Sequence, residues 1–134
     1  MGIRLDDLRG RVTWVPLKQP FLGIGLLLKH ASPGNHERFR NRMVAKGVVV
    51  PSGGLFPVSG RESEYFLEFA REYIHDWRVE EGFPEDHIEG KLQYTAERGA
   101  YIIENSRQIW DQVTASITDD KLFFSPSSNG SNPS

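Results

Sequence analysis

Cysteine is missing from all 134 residues, which excludes disulfides, thiolate metal sites and a cysteine nucleophile together. A reducing compartment is compatible with that usage. Long hydrophobic runs are missing as well. The longest apolar stretch, Phe21 to Leu28, has eight residues and two of them are glycine, against the roughly 20 that a bilayer span requires. Met1 to Gly10 scatters Arg4, Asp6, Asp7 and Arg9 among its apolar residues, so no apolar core of signal-peptide length is expected there. Nor does one sign of charge dominate. The 16 Lys and Arg face 18 Asp and Glu for a formal net charge of −2, which disfavours both generic nucleic-acid binding and an acidic disordered chain. The expectation is a soluble, cytoplasmic chain with neither a membrane nor a nucleic acid as partner.

What is present fits a globular body. Hydrophobic residues make up 38% of the chain, and the 13 glycines raise the apolar share to about 48%, the ordinary range for a packed domain. One domain is expected over residues 1–124. Ser125 to Ser134 (SPSSNGSNPS) has no core-forming residue and reads as a disordered polar tail. The near-zero net charge hides a split. Residues 1–50 carry nine basic and three acidic side chains, and the remainder seven basic and fifteen acidic. Such asymmetry can steer a partner or a second copy of the chain.

Two segments read as strands. Arg11 to Leu17 (RVTWVPL) is β-branched and aromatic, and Phe21 to His30 (FLGIGLLLKH) places Leu22, Ile24, Leu26 and Leu28 on one side of a period-two pattern. Lys18, Gln19 and Pro20 make the turn of an antiparallel hairpin, with Gly23 and Gly25 on the face opposite those leucines. A helix follows, capped by Ser32, opened by Pro33 and ended by Gly47. Its Phe39 and Met43 share one face, and Arg38, Arg42 and Lys46 form a neighbouring basic stripe, with Arg40 elsewhere. Val48 to Gly60 (VVVPSGGLFPVSG) holds two prolines and three glycines and reads as a loop.

Ser59 with Glu62 has the spacing of a capping box, and Phe66, Phe69, Ala70, Tyr73, Ile74 and Trp77 recur at helical intervals. The spacing predicts a helix running through Trp77 and ended by Gly82 and Pro84, with the acidic residues from Glu80 to Glu89 in a solvated loop. Thr95 predicts a cap for a helix from Ala96. Ile109, Trp110, Val113 and Ile117 define a stripe to about Thr118, with a break at Asn105 and Ser106, which compete locally for backbone hydrogen bonds. The fold class is α+β: an N-terminal β-hairpin packed on a mainly helical bundle of three to four helices. Trp77 and Trp110 are expected as neighbours in the core.

Motifs that carry chemistry are weak. His30, His36, His75 and His87 have no i, i+4 pairing, and no glycine-rich loop leads into a lysine. His75 adjoins Asp76, but consecutive helical residues diverge by about 100 degrees, so a helix would not aim one at the other. The basic set Arg38, Arg40, Arg42 and Lys46 suits a protein partner or a solvated face better than phosphates, because Phe39 beside it fits a core anchor. No catalytic, cofactor-binding or metal-ligating residue is nominated.

Four segments carry a resemblance through their order and spacing: Ile74 to Trp77 (IHDW), Tyr94 and Thr95 before AERGA, Ile109 to Val113 (IWDQV) and Leu122 to Phe124 (LFF). They follow a short strand, a proline-containing turn, an apolar strand and a Ser-capped helix. Over residues 10–124 this succession resembles the tail assembly chaperones of long-tailed bacteriophages, in which a helix ends in an Asp-Trp pair, a Tyr-Thr or Tyr-Ser cap follows a loop, and a Trp-Asp helix precedes a Phe-ended tail. The matching positions are Asp76, Trp77, Tyr94, Trp110 and Asp111. One departure is that Arg78 and Val79 stand where the family often has glycine after the Asp-Trp pair.

The resemblance implies a non-enzymatic protein, without cofactor, that binds the tape measure protein in the host cytoplasm, keeps it soluble while the tail tube polymerises, and is absent from the mature virion. It also implies, for some members, a longer product of ribosomal frameshifting that recruits tail tube protein, and here such an extension would join at the polar tail. A tape measure protein is long and helical with apolar stripes, so its chaperone needs an adaptable apolar surface in charged surroundings. The candidates are Leu55, Phe56 and Val58, whichever of Phe21 to Leu28 the helices leave uncovered, and the cations Arg38, Arg42 and Lys46. Self-association through the charge split is a further possible contact. A structural neck or tail-completion protein retained in the virion is the alternative.

Overall fold

The computed structural model describes residues 10–18, 23–51, 57–79 and 93–124. Strands β1 (Val12–Pro16) and β2 (Ile24–Lys29) pair antiparallel, with Trp14 opposite Leu27 and Val15 opposite Leu26. Alternation sorts the side chains: Val15, Ile24, Leu26 and Leu28 are buried, whereas Val12, Trp14, Gly25 and Leu27 belong to the other face. Helix α1 (Pro33–Ala45) starts as expected. Ser32 Oγ accepts from the Asn35 N–H at 3.1 Å, Pro33 occupies the first turn, and Phe39 and Met43 are buried. Gly47 turns the chain away at φ +75°, a conformation that favours glycine.

Helix α2 (Glu62–Tyr73) departs from expectation at both ends. The Ser59 capping box does not form. The chain turns at Gly60 (φ +87°), Arg61 precedes the helix without a side-chain cap, and the Glu62 carboxylate accepts from the Gly60 N–H at 3.0 Å instead. At the other end the helix stops at Tyr73, and Ile74–Val79 forms strand β3, antiparallel to β2 in a sheet of order β1-β2-β3. The expected helix through Trp77 is therefore corrected.

A bulge explains the misleading pattern. Leu27 faces Asp76 and Leu28 faces Ile74, which leaves His75 as the extra residue. Ile74 and Trp77, three apart as on a helix, thereby both reach the inner face of a strand.

Thr95 Oγ1 accepts from the Arg98 N–H at 3.2 Å and starts α3 (Ala96–Asn105). Ser106 Oγ accepts from the Ile109 N–H at 3.2 Å and starts α4 (Arg107–Ile117), so the expected break is present. A short α5 (Asp120–Phe124) follows, with Phe123 buried. The described residues thus hold five helices, and the fold is α+β.

The core lies between the inner sheet face and the helices. Phe39, Met43, Phe69, Tyr73, Ile103, Val113 and Ile117 meet Val15, Leu26, Leu28 and Ile74 there, each large side chain contributing about 1.5–3 kcal/mol. Trp77 and Trp110 are not the neighbours expected. Trp77 packs on Tyr94 at 5.4 Å between ring centroids, whereas Trp110 packs on Phe69 at 4.7 Å and Phe66 at 5.2 Å. Ending α2 at Tyr73 carries Trp77 away from the α2 stripe. Val48 and Val49 are buried, and Val49 makes a lone bridge to Pro57. Leu55, Phe56 and the polar tail lie outside the described residues. Among the described residues no helix is long and apolar enough to cross a membrane.

Candidate partner-binding surface

The basic stripe of α1 turns inward. Arg42 Nη2 lies 3.1 Å from Glu72 Oε1 and Lys46 Nζ 2.8 Å from Glu68 Oε2; Lys29 reaches Glu72 Oε2 from β2 at 2.6 Å, and Arg71 Nη1 reaches Glu68 Oε2 at 3.3 Å. Glu68 is buried and Glu72 half-buried. Burial raises the Glu72 carboxyl, but hydrogen bonds and charge from Lys29 and then Arg42 outweigh it, and the net displacement is downward. Arg42 and Lys46 therefore fasten α1 to α2. Arg38 is exposed and donates to Asn35 Oδ1, while Arg40 donates to the Pro51 carbonyl.

Apolar surface remains on the outer sheet face. Of the Phe21 to Leu28 stretch, Ile24, Leu26 and Leu28 belong to the core, and Leu27 sits half-buried on the outer side opposite Trp14. Val12, 41% exposed, extends the strip along β1. Trp14 and Leu27 do not pack against the core cluster. The strip has charged borders. The Arg78 guanidinium stands 4.3 Å above the Trp14 ring, a cation–π contact, and Lys29 and Asp76 occupy the same face by register. Val58 is half-buried and its N–H donates to the Val48 carbonyl at 2.7 Å.

Trp14 and Arg78 are not among the residues the sequence nominates. The period-two pattern contains Trp14, since it alternates with the buried Val15. Arg78 becomes visible only once its segment is read as a strand.

Among the family-like positions, Asp76, Trp77 and Tyr94 come together. The Tyr94 hydroxyl donates to the Ile74 carbonyl at 2.8 Å, and Asp76 Oδ1 accepts from the Trp77 N–H at 2.8 Å. Burial, then the charges of Asp76 and Glu97, push the Tyr94 hydroxyl far above its ordinary range. Trp110 belongs to a separate aromatic group with Phe66 and Phe69, and Asp111 is exposed on α4. His75 and Asp76 do not form an orienting pair: His75 Nε2 lies 3.2 Å from the Glu72 carbonyl, and the Asp76 carboxylate is turned to the backbone. Among the described residues no group of three or more His, Asp or Glu side chains is arranged to hold a metal ion.

Comparison with family models, with curated proteins and with solved structures finds no match for this chain. The geometry itself defines a small α+β body with a sheet packed on helices through one face and an apolar strip with charged borders on the other.

Proposed function

We propose that this chain is a non-enzymatic tail assembly chaperone of a long-tailed bacteriophage, which binds the tape measure protein in the host cytoplasm and keeps it soluble until tail tube subunits enclose it. The observation that carries the reading is the outer sheet strip of Val12, Trp14 and Leu27, unpacked against the core and bordered by Asp76 and Arg78, with Lys29 on the same face by register but engaged with Glu72. An apolar strip with charges of both signs at its border suits the apolar stripe of an amphipathic helix, which brings its own flanking charges. The succession YT, IWDQV and LFF adds support, whereas IHDW, in strand β3, lacks the helical setting that the family pattern gives its Asp-Trp pair. Leu55, Phe56 and Val58 are further proposed contacts on the ground of their sequence alone, and Arg38 supplies an exposed cation on α1. A longer product joined at residues 125–134 would recruit tail tube protein.

The test is co-expression with the tape measure protein encoded in the same genome. The tape measure protein stays in the soluble fraction with the wild-type chain, and precipitates with a Trp14→Ser, Leu27→Ser variant whose melting temperature is unchanged. Equal precipitation with and without the chain would overturn the proposal. Mass spectrometry of purified particles separates it from a neck or tail-completion protein, because the chaperone is absent from them.

A further inference from the structure

β1 has β2 on one side and, among the described residues, no strand on the other. The ladder fixes which backbone groups face that open edge. The Arg11 carbonyl accepts from His30 at 2.7 Å and the Leu17 N–H donates to Ile24 at 2.8 Å, so odd-numbered residues bond β2 and even-numbered ones face away. Pro16 has no N–H. The edge therefore offers the N–H groups of Val12 and Trp14 and the carbonyls of Val12, Trp14 and Pro16.

Both ends of this window are already closed. At one end Arg11 Nε donates to the Phe123 carbonyl at 2.9 Å, bringing α5 alongside. At the other, the Gln112 side-chain amide of α4 accepts from the Lys18 N–H at 2.6 Å and lies 3.4 Å from the Lys18 carbonyl, so it takes both backbone groups as a neighbouring strand would. At the Lys18–Gln112 end a groove of about 400 Å³ lies between the second half of β1 and α4. Val15, Pro16, Ala115 and Leu122 supply its apolar wall.

We propose that this edge and groove bind an extended segment of a partner protein by strand addition, and that the segment alternates apolar residues with lysine or arginine. The open backbone of Val12 to Pro16 supplies ladder hydrogen bonds for about five residues, some 17 Å of strand. Charge selects the basic class. Asp111 and Asp119 line the groove against the single cation Lys18, and neither carboxylate has an ion-pair partner among the described residues. This site uses the backbone edge of Val12 and Trp14, whose side chains belong to the outer strip, together with the groove beside α4, and it stands whether or not the chaperone reading does.

The experiment uses the full chain, labelled with nitrogen-15, and two capped heptapeptides, one alternating lysine with valine and one alternating glutamate with valine. The lysine peptide is expected to give saturable shifts centred on the Val12 and Trp14 amides and the Gln112 side-chain amide, and to slow amide exchange at Val12 and Trp14. The glutamate peptide binds at least about tenfold more weakly, and Asp111→Asn with Asp119→Asn removes most of that preference while leaving the melting temperature unchanged. The proposal is overturned if neither peptide saturates, if both bind equally, or if the Val12 and Trp14 amides are already protected in the free chain. Concentration-dependent dimerisation that produces the same shifts without peptide would assign the edge to a second copy and overturn it too.

Discussion

Single residues carry sharply different burdens in this fold. Gly99 lies in α3 directly under Tyr94, and a Cβ at that position would stand 2.8 Å from Tyr94 Cε1. The ring cannot simply withdraw, because its hydroxyl is tied to Ile74 and the ring itself packs edge-to-face with Trp77. Gly99→Ala is therefore expected to destabilise the chain by about 1–3 kcal/mol, the usual cost of overpacking, despite the better helix propensity of alanine. Urea denaturation measures this, and the same substitution in a Tyr94→Leu background should cost less. An equal cost in both backgrounds would place the effect elsewhere in α3. The Tyr73 hydroxyl shows a different burden: it is buried with no hydrogen-bond partner among the described residues, while its ring packs in the core beside Phe39 and Phe69, which offsets some polar cost.

At the scale of elements, the sequence was most legible where local chemistry decides. The hairpin alternation, the Ser32 and Thr95 caps and the Asn105–Ser106 break all depend on neighbours within about four residues, and all are present. β3 was not legible, because the bulge at His75 makes a strand imitate helical spacing and because β2, the partner that selects it, lies about fifty residues upstream. The outer strip was half legible for the same reason, since Trp14 is local to the hairpin but Arg78 arrives with β3. Deletion tests the difference. Removing exposed His75 from a helix would rotate Trp77 by about 100 degrees off its stripe. In the bulged strand it restores plain alternation, with Ile74 and Trp77 still inward. The deletion is expected to cost about 1 kcal/mol or less, no more than an average point substitution, and to preserve slow amide exchange across β2 and β3. Loss of that protection would refute the strand register.

Across the whole molecule, the charge split of the sequence becomes partly an internal joint. Lys29, Arg42 and Lys46 from the basic half meet Glu68 and Glu72 from the acidic half, so some of the charge that could steer a partner instead holds β2, α1 and α2 together. Glu72 is the pivot, with one carboxylate oxygen on Lys29 and the other on Arg42. Burial raises its carboxyl, the two cations lower it further, and the folded-state value falls below the ordinary 4.5. The unfolded chain therefore binds this proton first as the solution is acidified. The stabilisation from Glu72 is whole above pH 4.5 and is lost as pH falls through the folded-state value. Glu72→Gln is expected to reduce stability at pH 7 by about 1.5–3 kcal/mol, the range for hydrogen bonds to a charged group, and to flatten the acid limb of the stability curve. Urea midpoints at pH 7, 4.5 and 3 measure both effects. A variant that loses stability in acid as steeply as wild type would transfer the acid sensitivity to other carboxylates, and would mean that this joint holds by packing alone.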